Sequence, residues 1–217
     1  MENKSGKIIA IVALAVAVVA LSVGFAAFAD TLNIDGNATA GATSTNVFDD
    51  ATNGLSYTGT PSCKYSGGTN DGQSAGDAGT FTNNNDSWTG ITVNLTDAAS
   101  TVVCTATVTN KTAYQAQITG LSTSGGWNIT STGANAAANV TNVTNALTAT
   151  VSIKGQNTTA DTMTIGASAA SSSTTNTIVP ANGGTATVTV TLTYAGATAD
   201  QDVTITLPTI THAYTSS

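Results

Sequence analysis

Apolar and polar residues alternate with a period of two in runs that recur along the chain after its N-terminal apolar stretch. Ile91, Val93 and Leu95 fall on one face, with Thr92 and Asn94 on the other. Val102, Cys104, Ala106 and Val108 alternate with Val103, Thr105, Thr107 and Thr109, and Ala186, Val188, Val190, Leu192 and Tyr194 alternate with Thr185 through Thr193. Successive strand side chains point to opposite faces, so each run predicts a strand with one buried and one solvated side. A further run, Val203, Ile205 and Leu207, reaches Pro208, after which Ile210, His212 and Tyr214 resume with the opposite parity. A parity change at a proline predicts a bulge or bend near a sheet edge. Shorter strands are expected at Tyr114 to Leu121, Trp127 to Thr132, Leu147 to Ile153 and Thr162 to Ile165. Val140, Val143 and Leu147 also fit helical spacing and predict one short helix, against the poor helix propensity of Asn and Thr.

Turn-forming clusters separate these runs: Gly67-Gly68, Asn83 to Asn85, Gly125-Gly126 and Asn182-Gly183-Gly184. Residues 66–87 and 166–177 are Gly/Asn/Asp-rich and Ala/Ser/Thr-rich, and are expected to be surface loops. Short strands at regular spacing imply an all-β fold, an antiparallel jelly roll or Ig-like β-sandwich.

Composition adds an environment to this fold. Of 217 residues only 8% are charged, against about 25% in ordinary soluble domains. Arg is absent, Glu2 is the only Glu, and Thr, Ala, Asn, Ser and Gly fill the gap. The net charge of −7 comes without a basic cluster, which excludes nucleic acid and anionic membrane surfaces as partners of the folded part.

The N-terminus has the form of an export signal. Lys4 and Lys7 precede an apolar stretch from Ile8 to about Ala29, and Ala27-Phe28-Ala29 before Asp30 has the small-x-small form of a signal-peptidase site. The reading is an N-terminal hydrophobic signal helix, residues 1–29, cleaved after Ala29. The alternative is a retained membrane anchor, since about 20 apolar residues span a bilayer. Residues 30–40 then form an N-terminal strand, with Leu32 and Ile34 on one face, and 41–217 the β-sandwich domain. After cleavage eleven Asp face three Lys, a net charge of −8. The expected location is extracellular, secreted or at the cell surface, with the membrane touched only through the N-terminal segment.

Candidate chemistry is sparse. Export makes a Cys63–Cys104 disulfide the expectation, with buried free thiols as the alternative. His212 is the sole histidine and no HExxH occurs, so a protein-only zinc site is not expected, and any Ser-His-Asp arrangement would have to use that one His. No catalytic residue and no cofactor are expected. Asp71, Asp77 and Asp86 lie in Asn/Asp-rich segments and are weak calcium candidates, because calcium takes carboxylate, amide and backbone oxygens; turn formation explains the same residues. Sequons occur at Asn37, Asn94, Asn110, Asn128, Asn139, Asn142 and Asn157.

Two segments carry a resemblance. Phe25-Ala26-Ala27-Phe28-Ala29-Asp30-Thr31 is similar to the leader junction of the TasA/camelysin group of exported matrix proteins. Ser87 to Leu121 resembles that group's strand, turn and T-x-T-V-x-N strand, with Asp97-Ala98-Ala99-Ser100 in place of the usual Pro-Gly turn. The resemblance implies a jelly-roll subunit of extracellular fibres, related to archaeal bundling pili, in which the N-terminal strand of one subunit completes the sheet of the next. Leu32 and Ile34 would be the donor side chains, the partner another copy of the chain or other matrix and cell-surface components. The metalloprotease label of camelysin-type relatives does not extend to a chain without HExxH or a second His. A monomeric Ig-like adhesion or binding module is the alternative, followed by a secreted peptidase.

Overall fold

Each alternating run becomes a strand by burying its apolar parity and leaving the Thr parity at the surface. The structure, a computed structural model, describes residues 48–49, 52–82, 86–95, 101–132, 135–156, 160–172, 176–196 and 203–216. All belong to one unit, Thr43–Ser217. The residues of the expected signal helix, with Ala27, Ala29 and Asp30, and those of the expected N-terminal strand, with Leu32 and Ile34, lie outside the described residues.

In chain order the strands are β1 (Leu55–Ser66), β2 (Gly76–Asp77), β3 (Thr80–Thr82), β4 (Ser87–Thr89), β5 (Thr92–Leu95), β6 (Thr101–Asn110), β7 (Ala116–Thr123) and β8 (Asn128–Ser131). A helix, α1 (Ala136–Ala146), leads into β9 (Leu147–Lys154), β10 (Asp161–Ile165), β11 (Ser171–Ser172), β12 (Thr177–Val179), β13 (Gly184–Tyr194), β14 (Val203–Thr206) and β15 (Ile210–Ser216). They form an antiparallel β-sandwich. One sheet runs β1-β6-β13-β9-β10, a second β11-β7-β15-β4-β3 with β12 also on β7, and a third β2-β5-β14-β8. Among the described residues no helix is long and apolar enough to cross a membrane.

β13 is the centre of the first sheet. Val188, Val190 and Leu192 pair with Ala106, Cys104 and Val102 on one side and with Ile153, Val151 and Ala149 on the other. All are buried, and they join Trp88, Ile118, Leu121, Ile205 and Ile210 of the other sheets in one core cluster. The opposite face is hydroxyl. Thr58 bonds Thr109 at 2.6 Å and Ser62 bonds Thr105 at 3.0 Å. Cross-strand Thr pairs of this kind stabilise a sheet modestly and keep it wettable without charge.

Several expectations change in detail. β1 has no clean alternation because Gly59-Thr60-Pro61 interrupts it, and the structure places a register shift between Thr58 and Ser62. From Thr58 to Ser62 β1 advances four positions while β6 advances two, from Thr107 to Thr105, and the two extra residues leave the parity unchanged, so Cys63 and Tyr65 still point inward. Pro208 does not mark a bulge within one sheet: β14 belongs to the third sheet and β15 to the second. The chain bends between sheets there, and the reversed parity keeps both runs facing the same core. Residues 66–87 are not one loop, since β2, β3 and the start of β4 lie within them, and 166–177 holds β11 and the start of β12. Gly79 makes the first of these segments compact. Its φ is 74°, and a Cβ added there would lie 2.1 Å from the Thr89 carbonyl oxygen, so only glycine fits. The short helix exists but buries only Val143, while Leu147 already opens β9.

Candidate functional site

Cys63 and Cys104 are direct partners across β1 and β6, both buried, and they are joined as a disulfide. Each sits on the inward parity of its strand, so the pairing register brings the two sulfurs together. The bridge ties β1 to the interior of the five-stranded sheet.

The three acidic candidates separate. Asp71 accepts a hydrogen bond from the Gly67 amide at 2.7 Å, and Asp77 accepts one from the Gly79 amide at 2.9 Å. Both are exposed and close local turns. Asp86 is different. It is half-buried beside the Asp49 carboxyl, and its pKa is pushed up to about 7, first by burial and then by the hydrogen bond and negative charge of Asp49. Among the described residues no three His, Cys, Asp or Glu side chains gather.

Asp49 and Asp86 border an aromatic nest. Phe48, 1% exposed, meets Tyr214 edge-on with centroids 5.9 Å apart. Tyr57 stacks on Phe81 at 4.9 Å, lies 6.3 Å from Trp88, and meets the His212 ring edge-on at 5.2 Å. His212 also packs against Tyr214 at 5.7 Å. The Tyr57 hydroxyl and both His212 ring nitrogens are buried without a hydrogen-bond partner. With no partner on either nitrogen, His212 is not part of a Ser-His-Asp hydrogen-bond chain.

Burial alone drives the His212 pKa down from 6.5 to about 4. As the pH falls through 6.5 the unfolded chain takes up a proton there, while the folded chain stays neutral down to about 4. Stability is therefore complete above 6.5 and declines between 6.5 and 4, by about 3 kcal/mol. Thermal melts of the wild type and His212→Phe from pH 7.5 to 4 check this. The carboxylates titrate in both, so the wild type should lose about 6–10 °C more. Parallel pH profiles for the two proteins would contradict it.

The nest sits at one margin of the second sheet. β15 pairs with β7 from Ile210 to Ser216, but with β4 only at Ile210 and Thr211. From His212 to Tyr214, the other edge of β15 has no partner among the described strands. A sheet edge of this kind can accept a further strand.

Two smaller features complete the surface. An open cleft of about 330 Å³ is lined by Tyr65, Asn70, Gln73, Ser74, Gly76 and Asn94, with the Tyr65 hydroxyl donating to the Asn94 carbonyl. Among the sequons, Asn110 is fully buried. Its Nδ2 donates to the Tyr114 and Val179 carbonyls at 2.8 and 3.1 Å. The atom that would carry a glycan is thus committed to holding the β6–β7 turn. Asn94, Asn128 and Asn142 are exposed and Asn139 is half-exposed, while Asn37 and Asn157 lie outside the described residues.

Residue patterns single out Asp86 and the cysteines but give no sign of Asp49, Tyr57, Phe81 or the nest. The alternation of His212 and Tyr214 is the one signal that points there.

No family model and no curated protein matches the chain. Among solved structures it is similar to the enzymatically active domain of tailspike protein 4 from bacteriophage CBA120, at 13% identity and a TM-score of 0.28. The likeness covers 81% of this chain and 21% of that one, so the chain spans about a fifth of that neighbour's length. At that identity and score the likeness assigns neither fold nor activity.

Proposed function

We propose that the chain is a non-enzymatic structural subunit of an extracellular filament or biofilm matrix, of the TasA/camelysin kind, assembling by exchange of its N-terminal strand. The observation that carries this reading is the one-sided strand pairing of β15 from His212 to Tyr214 among the described strands. An added strand there gains main-chain hydrogen bonds, and alternate side chains give it register. Leu32 and Ile34, two residues apart, have the spacing that such a strand needs. A buried disulfide in a chain with so few charges fits an oxidising, extracellular setting.

The cleft between Tyr65 and Asn94 favours a second reading, a monomeric Ig-like adhesion or binding module that takes a neutral polar ligand. Electron microscopy of the chain beginning at Asp30 separates the two. Fibres are expected, and they should disappear when residues 30–40 are deleted. A monodisperse monomer at all concentrations would sink the filament reading.

A further inference from the structure

We propose that the outer face of the five-stranded sheet binds ice, as a lattice of hydroxyl and methyl groups that orders the water against it. Neither the filament reading nor its alternative concerns this face. The pairing register builds the lattice. One row runs straight across all five strands as Ser62, Thr105, Thr189, Ser152 and Thr162. The next row is Lys64, Val103, Thr191, Thr150 and Thr164, and on the other side Thr107 and Thr187 lead to Lys154. Neighbouring strands lie about 4.8 Å apart, and outward residues recur about every 6.7 Å along each strand. Both spacings are close to the repeats of water oxygens on the prism faces of ice.

Charge and ring placement select the same partner. Ice is uncharged, and so is the middle of this face. Asp161 is the acid of these strands, and it shares the inward parity of Met163 and Ile165. There it accepts from the Thr177 hydroxyl at 2.8 Å and from the Asn176 amide at 2.9 Å. A polysaccharide surface would call for outward aromatic rings to stack on. Tyr57, Tyr65 and Tyr194, the aromatic residues of these strands, are instead buried on the inner side. Each threonine offers a hydroxyl that donates and accepts, and a methyl group that confines the water between neighbouring hydroxyls. Strands twist by about 20–25° from one to the next, so a flat crystal face meets the middle of the sheet and clears Lys64 at the β1 margin. The contact is therefore centred on Thr189, Thr191 and Thr150.

Slow freezing of a dilute solution of the full chain tests this, because growing ice pushes ahead of it any protein that does not bind. The wild type should be retained in the ice and should facet single crystals held just below their melting point. Thr189→Lys and Thr150→Lys put a long charged side chain into the centre of the contact. Each should raise the concentration needed for faceting about tenfold or more. Thr130→Lys, exposed on β8 of the third sheet, should behave like the wild type. All three side chains face outward, so thermal midpoints should stay within about 4 °C of the wild type, which separates loss of binding from loss of fold. Exclusion of the wild type from the ice, with crystals growing rounded, overturns the proposal. Equal loss in Thr130→Lys overturns it too, since the binding would then not belong to this face. So does a chain that pairs in solution through this face, with pairing lost in Thr189→Lys and faceting unchanged, because a second copy would then be the occupant.

Discussion

Trp88→Ala is expected to cost about 3–5 kcal/mol, a large part of the stability of a domain this size. Trp88 is fully buried, and its Nε1 donates to the Ala78 carbonyl at 2.7 Å. It lies 6.3 Å from Tyr57 across the core. The indole thus does two things. It fills the space under β4, and it pins the chain between β2 and β3, which has few apolar residues of its own. Thermal unfolding should show a drop of about 10 °C. Trp88→Phe keeps most of the buried area but strands the Ala78 carbonyl, so a loss of about 1–3 kcal/mol is expected. Equal losses in the two variants would show that the hydrogen bond, and not the packing, carries the effect.

Removing the disulfide is the second large effect. Cys63 and Cys104 are 41 positions apart, and closing a loop of that length restricts the unfolded chain by about 4 kcal/mol. Cys63→Ala/Cys104→Ala should therefore unfold at much lower urea concentration, with the strand pairing of β1 and β6 retained. Both single variants should lose about as much, because either one opens the loop. Comparing oxidised and reduced wild type by urea titration gives the same difference without a mutation. A loss under about 1 kcal/mol would mean that the unfolded chain stays compact enough for the crosslink to restrict little.

The exposed hydroxyl face and the nest place different demands on the sequence. Thr185 to Thr193 face solvent as β-branched residues that suit a strand without adding charge. At the nest, His212 occupies an inward position where an apolar residue is the rule, and its unpartnered nitrogens cost stability. Local pattern places His212 on the buried face but says nothing of its neighbours. Those are Tyr57 from β1 and Tyr214 from its own strand, and only pairing of the sheets brings them to it.

What the sequence determined by itself was the class of fold, the parity of β5, β6, β13 and β14, and the cysteine pair. Those depend on alternation within a strand, or on there being just two cysteines to pair with each other. Tertiary structure alone decided the rest: β1 with its bulge, the change of sheet at Pro208, and the meeting of Asp49 with Asp86. Each depends on which strand lies beside which. Pairing between distant segments leaves no local period, because it is chosen by the closing of one common core.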